Sequence, residues 1–173
     1  MADVTRSDVP VARSSVESRS NGDGHRRLIA THPIAAGGEI VQIRGTVRTS
    51  PSRFSIQVGP RRHLDEMGPV NATNHSCAPN AFVDFSHPER LVLRALRDID
   101  AGDEITIHYC ATEYDMAEPF ECGCGAASCV GMVRGYRHLP AGAAAELELR
   151  LSPAIRALAR TRPKIPEMEL PLD

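Results

Sequence analysis

The sequence predicts a mainly β protein of the α+β class, with short strands and with helices confined to its C-terminal end. Three observations carry this. Thirteen glycines and thirteen prolines punctuate the chain with turns. Between them lie brief apolar or alternating runs of strand length, not long helical periods. Helix start signals appear only from Pro140 onward.

Taken in order, residues 1–10 are charged and poor in large apolar groups, a composition that does not drive folding. Residues 11–18 read as a weak edge strand and 20–24 as a turn. Strands follow at 27–31, 39–43 and 54–58, the last alternating apolar and polar. Residues 61–70 read as a polar, turn-rich connection. Residues 81–85 and 90–96 form a hairpin around a turn at 86–89, and 104–109 is a further β-run. Ile34-Ala35-Ala36-Gly37-Gly38-Glu39-Ile40 is echoed by Ile99-Asp100-Ala101-Gly102-Asp103-Glu104-Ile105 at an offset of 65. Two readings are open: two ordinary glycine turns, or one recurrent feature of a sheet architecture.

Pro140 opens a helix over 141–151. Ser152-Pro153 is an N-cap and first-turn proline for a second helix to about residue 160. Leu147, Leu151, Ile155 and Leu158 fall three or four apart and form one apolar face. Residues 163–173 are proline-rich and expected to fray. Between 134 and 164 stand seven Arg or Lys against two Glu. That is either a solvated helix surface or a site for an acidic partner.

The 173 residues suit one domain with a small appendage, and 42% apolar content supports a core. Twenty basic against 22 acidic residues leave a net charge of −2, which gives no case for nucleic acid or an anionic membrane. Lys164 is the only lysine, a compositional habit. There is no apolar window of membrane-spanning length and no apolar signal core near Met1, so a cytoplasmic protein is expected. In that compartment five cysteines point to metal ligands or free thiols, not disulfides.

The chemistry concentrates in two places. Asn74-His75-Ser76-Cys77-Ala78-Pro79-Asn80 packs turn-forming amides, a histidine and a thiol into one loop. Cys122-Gly123-Cys124 and Cys129 form a C-x-C-x4-C pattern whose glycines let thiolates converge on an ion. A tetrahedral zinc then lacks one ligand, and the remaining cysteines are Cys77 and Cys110.

These pieces, in this order, resemble the SET domain methyltransferase family with a post-SET zinc segment. The glycine turn at 36–40, the loop 74–80, the run Ala101-Gly102-Asp103-Glu104-Ile105-Thr106-Ile107-His108-Tyr109 and the trailing cysteines carry the likeness over about 25–134. Small stand-alone bacterial members are the nearest in kind. The resemblance implies a β-clip of small curved sheets with a pseudoknot, in which 74–77 threads beneath the loop after Tyr109. It implies S-adenosylmethionine on one face and a methyl acceptor entering from the other. Tyr109 would be the active-site tyrosine. Asn74, His75 and Phe120 would meet the cofactor, and Phe54 and Tyr114 would line the substrate channel. Cys77 would complete the zinc site with Cys122, Cys124 and Cys129.

Where the family has Gly-x-Gly before a Leu-x-Ala strand, this chain has His25-Arg26-Arg27 before Leu28-Ile29-Ala30. Arg26, Arg27 and Leu28 are therefore assigned to the cofactor. His108 is read as a strand or surface residue and Cys110 as a free thiol. The implied organisation is a flexible segment or edge strand at 1–20, the SET domain at 21–117, the zinc segment at 118–134, helices at 135–162 and a frayed tail at 163–173. The acceptor is foremost an amine on a protein lysine. The rivals are a SET-like enzyme acting on a small metabolite and a non-catalytic, zinc-stapled binding module. A homodimer is left open.

Overall fold

The computed structural model describes residues 15–20, 22, 24–87 and 90–161. The expectations for 1–14, 88–89 and 163–173 lie outside them. The described residues form five small sheets. Strands β1 (Val16–Ser20) and β2 (Arg26–Ala30) pair antiparallel. Strands β3 (Glu39–Ile43), β4 (Thr46–Arg48), β5 (Ile56–Gly59) and β6 (Arg62–Asp65) follow. Beyond a 3₁₀ turn at Gly68–Ala72 come β7 (Asn74–His75), β8 (Ala81–His87), β9 (Arg90–Ala95) and β10 (Thr106–Ile107). One sheet has the order β3-β9-β8, another β4-β6-β5, and β7 pairs parallel with β10. A third two-stranded sheet joins β11 (Phe120–Glu121) to β12 (Met132–Val133). Helices α1 (Ala141–Leu147) and α2 (Pro153–Arg160) close the described chain.

The expected hairpin is β8 with β9. The repeated turns prove to be partners. Ile34 N–H donates to Ile99 O at 2.8 Å and Ile99 N–H returns to Ile34 O at 2.9 Å. Gly37 N–H donates to Ala95 O and Gly102 N–H to Ala30 O, both at 2.9 Å. Each donor and acceptor lies 65 residues from its counterpart, so the echo is a local two-fold exchange. Gly37 and Gly102 sit at φ 76° and 94°, where a Cβ is strained.

The short strands β4, β7, β11 and β12 were not foreseen, and two longer segments also differ from expectation. Residues 62–65, read as a polar connection, form β6, the middle strand of its sheet; His63 and Leu64 are buried while Arg62 is exposed. A four-residue strand with three polar side chains gives no apolar alternation to read. The run 104–109 is a strand only at 106–107, because Tyr109 O accepts from the amides of Thr112 and Glu113, both at 2.9 Å, and curls the chain into a 3₁₀ turn at Tyr109–Ala111. The first helix also stops early, at Leu147, followed by a 3₁₀ turn at Glu148–Arg150. Ser152 precedes a proline and is extended, which forbids one continuous helix. Its Oγ accepts from Ile155 N–H at 3.1 Å, the expected N-cap.

Two apolar clusters result. The larger unites the sheets around Leu28, Leu93, Ile99 and Ile105, all at most 1% exposed. The smaller gathers Cys110, Val133, Tyr136, Leu147, Leu151 and Ile155 under the helices. Tyr109 packs against both. Among the described residues no helix is long and apolar enough to cross a membrane.

Candidate active site and cysteine centre

The loop 74–80 is pinned by its own amides. Asn80 Nδ2 donates to Glu104 O at 2.8 Å, and its Oδ1 accepts from Thr106 N–H at 2.8 Å. Asn74 Nδ2 donates to Arg26 O at 2.9 Å and to Glu104 Oε1 at 2.7 Å. These bonds, with Ser76 N–H to Ile107 O at 3.0 Å, bind the loop to the strand that ends in Tyr109.

Every polar atom of Tyr109 is engaged. Its N–H donates to His75 Nδ1 at 3.2 Å and its hydroxyl to Thr73 O at 2.8 Å. Its carbonyl takes the two amides of the turn and Thr112 Oγ1 at 3.1 Å. Burial first, then the Glu104 charge, pushes the phenol up to about 12 against the opposing Arg53. It is therefore a neutral phenol at physiological pH.

The Tyr109 ring stands between two cavities. The larger, about 610 Å³, is walled by Arg26, Arg53, Asn74, His75, Met116 and Phe120, among others. The smaller, about 40 Å³, is lined by Ile56, Val70, Val83, Leu93 and Ile107. Arg53, Phe54, Asn71 and Tyr109 border both. Phe54 and Phe120 thus reach the cavities as residue types suggest. Tyr114 does not; its ring packs in the smaller apolar cluster and its N–H is held by Gln57 Oε1 at 3.0 Å. Arg26 lines the large cavity, while its guanidinium donates to Ser18 Oγ. Arg27 is turned to Glu104 at 3.5 Å, and Leu28 is fully buried in the core, so neither forms the wall. Alternation along β2 turns Arg27 away from the face of Arg26, and Leu28, on that same face, is covered by the core; the motif register alone resolves neither.

His108 is buried, not a surface residue, and its ring meets His75 edge-on at 4.7 Å between centroids. Burial brings His108 down to about 4; burial and then His108 bring His75 down to about 3. Both rings are neutral, and neither suits general-base work at neutral pH. Asn71 and Arg53 were not singled out by motif. Nothing in their sequence context marks them: Arg53 reaches the cavity from a loop and Asn71 from the 3₁₀ turn at Gly68–Ala72.

The thiols of Cys77, Cys122, Cys124 and Cys129 converge, with every Sγ within 4.8 Å of the others and Cys77 to Cys122 at 3.9 Å. A tetrahedral zinc with Zn–S bonds of about 2.3 Å needs sulfurs about 3.8 Å apart. The β11–β12 pair and the bond from Cys122 N–H to Gly131 O, 2.7 Å, close the loop that carries three of them. The Ala126 amide first, then that of Cys77, holds the Cys124 thiol down to about 6. The donor set fits zinc. Cys110 lies apart, buried in the smaller cluster.

The SET domain family model matches residues 46–110. Structures of KRYPTONITE overlap 69% of this chain: one in complex with mCHG DNA and SAH, at TM-score 0.56 and 25% identity, and one with mCHH DNA, an H3(1-15) peptide and SAH, at 0.53 and 27%. The fold is that of a SET domain. Among sequence relatives, the methyltransferase flvH of Aspergillus flavus is 39% identical over 87 residues, 50% of this chain and 48% of its own length. The histone-lysine N-methyltransferase set9 of Schizosaccharomyces pombe is 34% identical over 126 residues, 65% of this chain and 27% of its own length. The chain thus spans about half, or less, of the curated relatives it matches. Within the SET fold, the cysteines at 122–129 lie beyond the residues matched by the family model.

Proposed function

We propose that this chain is an S-adenosylmethionine-dependent methyltransferase acting on an amine, with the side chain of a protein lysine as acceptor. One observation carries the reading: Tyr109 borders both a cavity of about 610 Å³ with mixed polar and apolar walls and a mainly apolar one of about 40 Å³. The relatives named as methyltransferases and the neighbours bound to SAH support it. So does the size of the larger cavity, within the range of about 300–1,000 Å³ usual for small-molecule sites. Its wall has cations at Arg26 and Arg53 that suit a carboxylate, and a ring at Phe120 that suits a base.

When bound, S-adenosylmethionine supplies a methyl group on a positively charged sulfur. The chain's residues then act on the acceptor. Ile56, Val70 and Ile107 exclude water and accommodate an aliphatic stem. Such walls disfavour an ammonium, whose ordinary pKa is about 10.4, and promote loss of its proton. The Tyr109 hydroxyl spends its proton on Thr73 O, so its lone pairs are left to accept from the incoming amine. That contact orients the nitrogen for in-line displacement, where alignment does most of the work.

Cys77, Cys122, Cys124 and Cys129 are proposed to hold a zinc ion. It would join the loop at 74–80 to the segment at 118–134, which has little core of its own. Asn74 acts by fixing the β2 end and Glu104, and His75 by fixing Tyr109.

Purified protein incubated with methyl-labelled S-adenosylmethionine and cell extract tests the reading. Label on protein lysines, lost in Tyr109→Phe, is the expected result. Label confined to small molecules would transfer the proposal to a metabolite acceptor. Bound cofactor with no transfer to any acceptor overturns the enzyme.

A further inference from the structure

A second polar cluster lies next to the Tyr109 turn and lines neither cavity. Ser55, Gln57, His63 and Glu113 are between 5% and 7% exposed. Glu113 follows Tyr109 by four residues, and its N–H donates to Tyr109 O at 2.9 Å. Its carboxyl points to His63 on the middle strand of the β4-β6-β5 sheet, with Glu113 Oε2 and His63 Nδ1 3.8 Å apart. Both carboxyl oxygens and His63 Nδ1 are buried without a hydrogen bond of ordinary geometry. The groups facing the carboxyl are His63 from β6, Ser55 Oγ just before β5 and the backbone amide of Gln57 within β5. Among the described residues, no cation but a protonated His63 faces it.

A carboxylate beside a neutral imidazole would be an uncompensated buried charge with repelling lone pairs, and a full ion pair would have to strip water from both charges. A neutral carboxyl facing a neutral imidazole avoids both: it carries no charge and sets a donor O–H against an accepting Nδ1, with the 3.8 Å between them left to close for an ordinary hydrogen bond. We propose that Glu113 and His63 share one proton and act as a positioning pair, clamping the Tyr109 turn to β6 and so setting the aim of the Tyr109 hydroxyl. This rests on the role given to Tyr109 above. Burial acts in the required sense on both groups, raising the Glu113 carboxyl to about 8 and lowering His63. The location makes the clamp consequential. Glu113 O accepts from Tyr136 N–H at 2.9 Å and Gln57 N–H donates to Thr112 O at 2.9 Å, so the turn is the seam between the two apolar clusters.

The test reads the proton and the positioning separately. A carboxyl raised from 4.5 to about 8 on folding keeps its proton where the unfolded chain has lost it, so native stability falls as pH rises through that interval. His63, lowered from 6.5, contributes no slope above 6.5. Thermal midpoints between pH 6.5 and 8 should therefore fall in the wild-type protein and fall less in Glu113→Gln. Parallel curves overturn the shared proton. In the kinetic arm, Glu113→Ala should lower kcat roughly 10- to 100-fold with KM for S-adenosylmethionine little changed. Glu113→Gln, which can still donate to Nδ1, should recover most of that loss. An unaltered kcat in Glu113→Ala overturns the positioning role. Should Glu113→Ala not fold, His63→Gln is read in its place, with the same outcomes. The stability arm needs no methyl acceptor. Absence of methyl transfer by the wild-type protein overturns the functional reading, whereas parallel stability curves overturn the pair alone.

Discussion

His75 Nδ1 accepts a hydrogen bond from the Tyr109 backbone N–H at 3.2 Å. An accepting nitrogen carries no proton, so a neutral His75 has its hydrogen on Nε2. That nitrogen faces Cys77 Sγ at 3.3 Å. One imidazole thus spans the distance between the turn that aims the phenol and the thiol cluster. Its placement explains why a motif of adjacent Asn, His and Cys serves two centres at once.

Replacing Tyr109 with Phe removes one hydroxyl and its bond to Thr73 O. The ring contacts with His75 and Phe120 remain, so the fold should persist. We expect turnover to drop by about 100-fold or more, the usual scale for one positioned polar group in a transition state. Labelled methyl transfer measures the rate, and calorimetry should find S-adenosylmethionine affinity nearly unchanged. Wild-type turnover in the variant would remove Tyr109 from the mechanism.

Metal analysis of the purified protein should find one zinc per chain. A strong chelator should release it and lower the thermal midpoint, because no residue of the 122–129 loop is buried. Cys124→Ser should release zinc at lower chelator concentration than wild type. A protein with no zinc, stable in chelator, would refute the four-thiol site.

Asn74→Ala leaves Arg26 O and Glu104 Oε1 without their donor. Both acceptors remain open to water, so the loss should cost about 0.5–1.5 kcal/mol of stability. Because Arg26 lines the larger cavity, cofactor affinity should also weaken, by roughly tenfold. Denaturant unfolding and calorimetry read the two effects. Unchanged affinity would confine Asn74 to a structural role.

Acid should destabilise the protein through His108. Its ring, lowered to about 4 by burial, binds no proton in the native state where the unfolded chain does. Stability is then full above 6.5 and falls as pH drops from 6.5 toward 4. His108→Leu should flatten part of that acid limb in urea titrations at stepped pH. An unaltered limb would place the acid sensitivity elsewhere.

Ser152→Ala tests the second helix in isolation. It removes the acceptor for Ile155 N–H at a fully buried cap, for about 1 kcal/mol or more. Ser152 lines neither cavity, and its backbone N–H, which donates to Ala111 O at 3.0 Å, is kept in the variant, so methyl transfer per folded molecule should not change.

Much was legible locally. The N-cap at Ser152, the β8–β9 hairpin, the turns at Gly37 and Gly102 and the grouping of Cys122, Cys124 and Cys129 each follow from residue chemistry acting over a few positions, whereas Cys77 was reached only through the family resemblance. The residues that a motif names were found in the same neighbourhood: Asn74, His75, Tyr109 and Phe120 all border one cavity. What the chain order cannot carry is long-range direction. That Arg26 faces the cavity while Arg27 turns to Glu104 depends on which face of β2 is covered. That residues 62–65 form a central strand depends on neighbours at 46–48 and 56–59, which supply the hydrogen bonds its polar side chains do not advertise. The sequence alone thus determined which chemistry is present and where the chain turns, because those are properties of adjacent residues. Only the tertiary structure decided that Tyr109 O would be captured by its own turn, that His108 would be buried, and that Glu113 would meet His63 across 50 positions. Those outcomes come from packing between segments far apart in the chain, and burial sets both the partners and the protonation states.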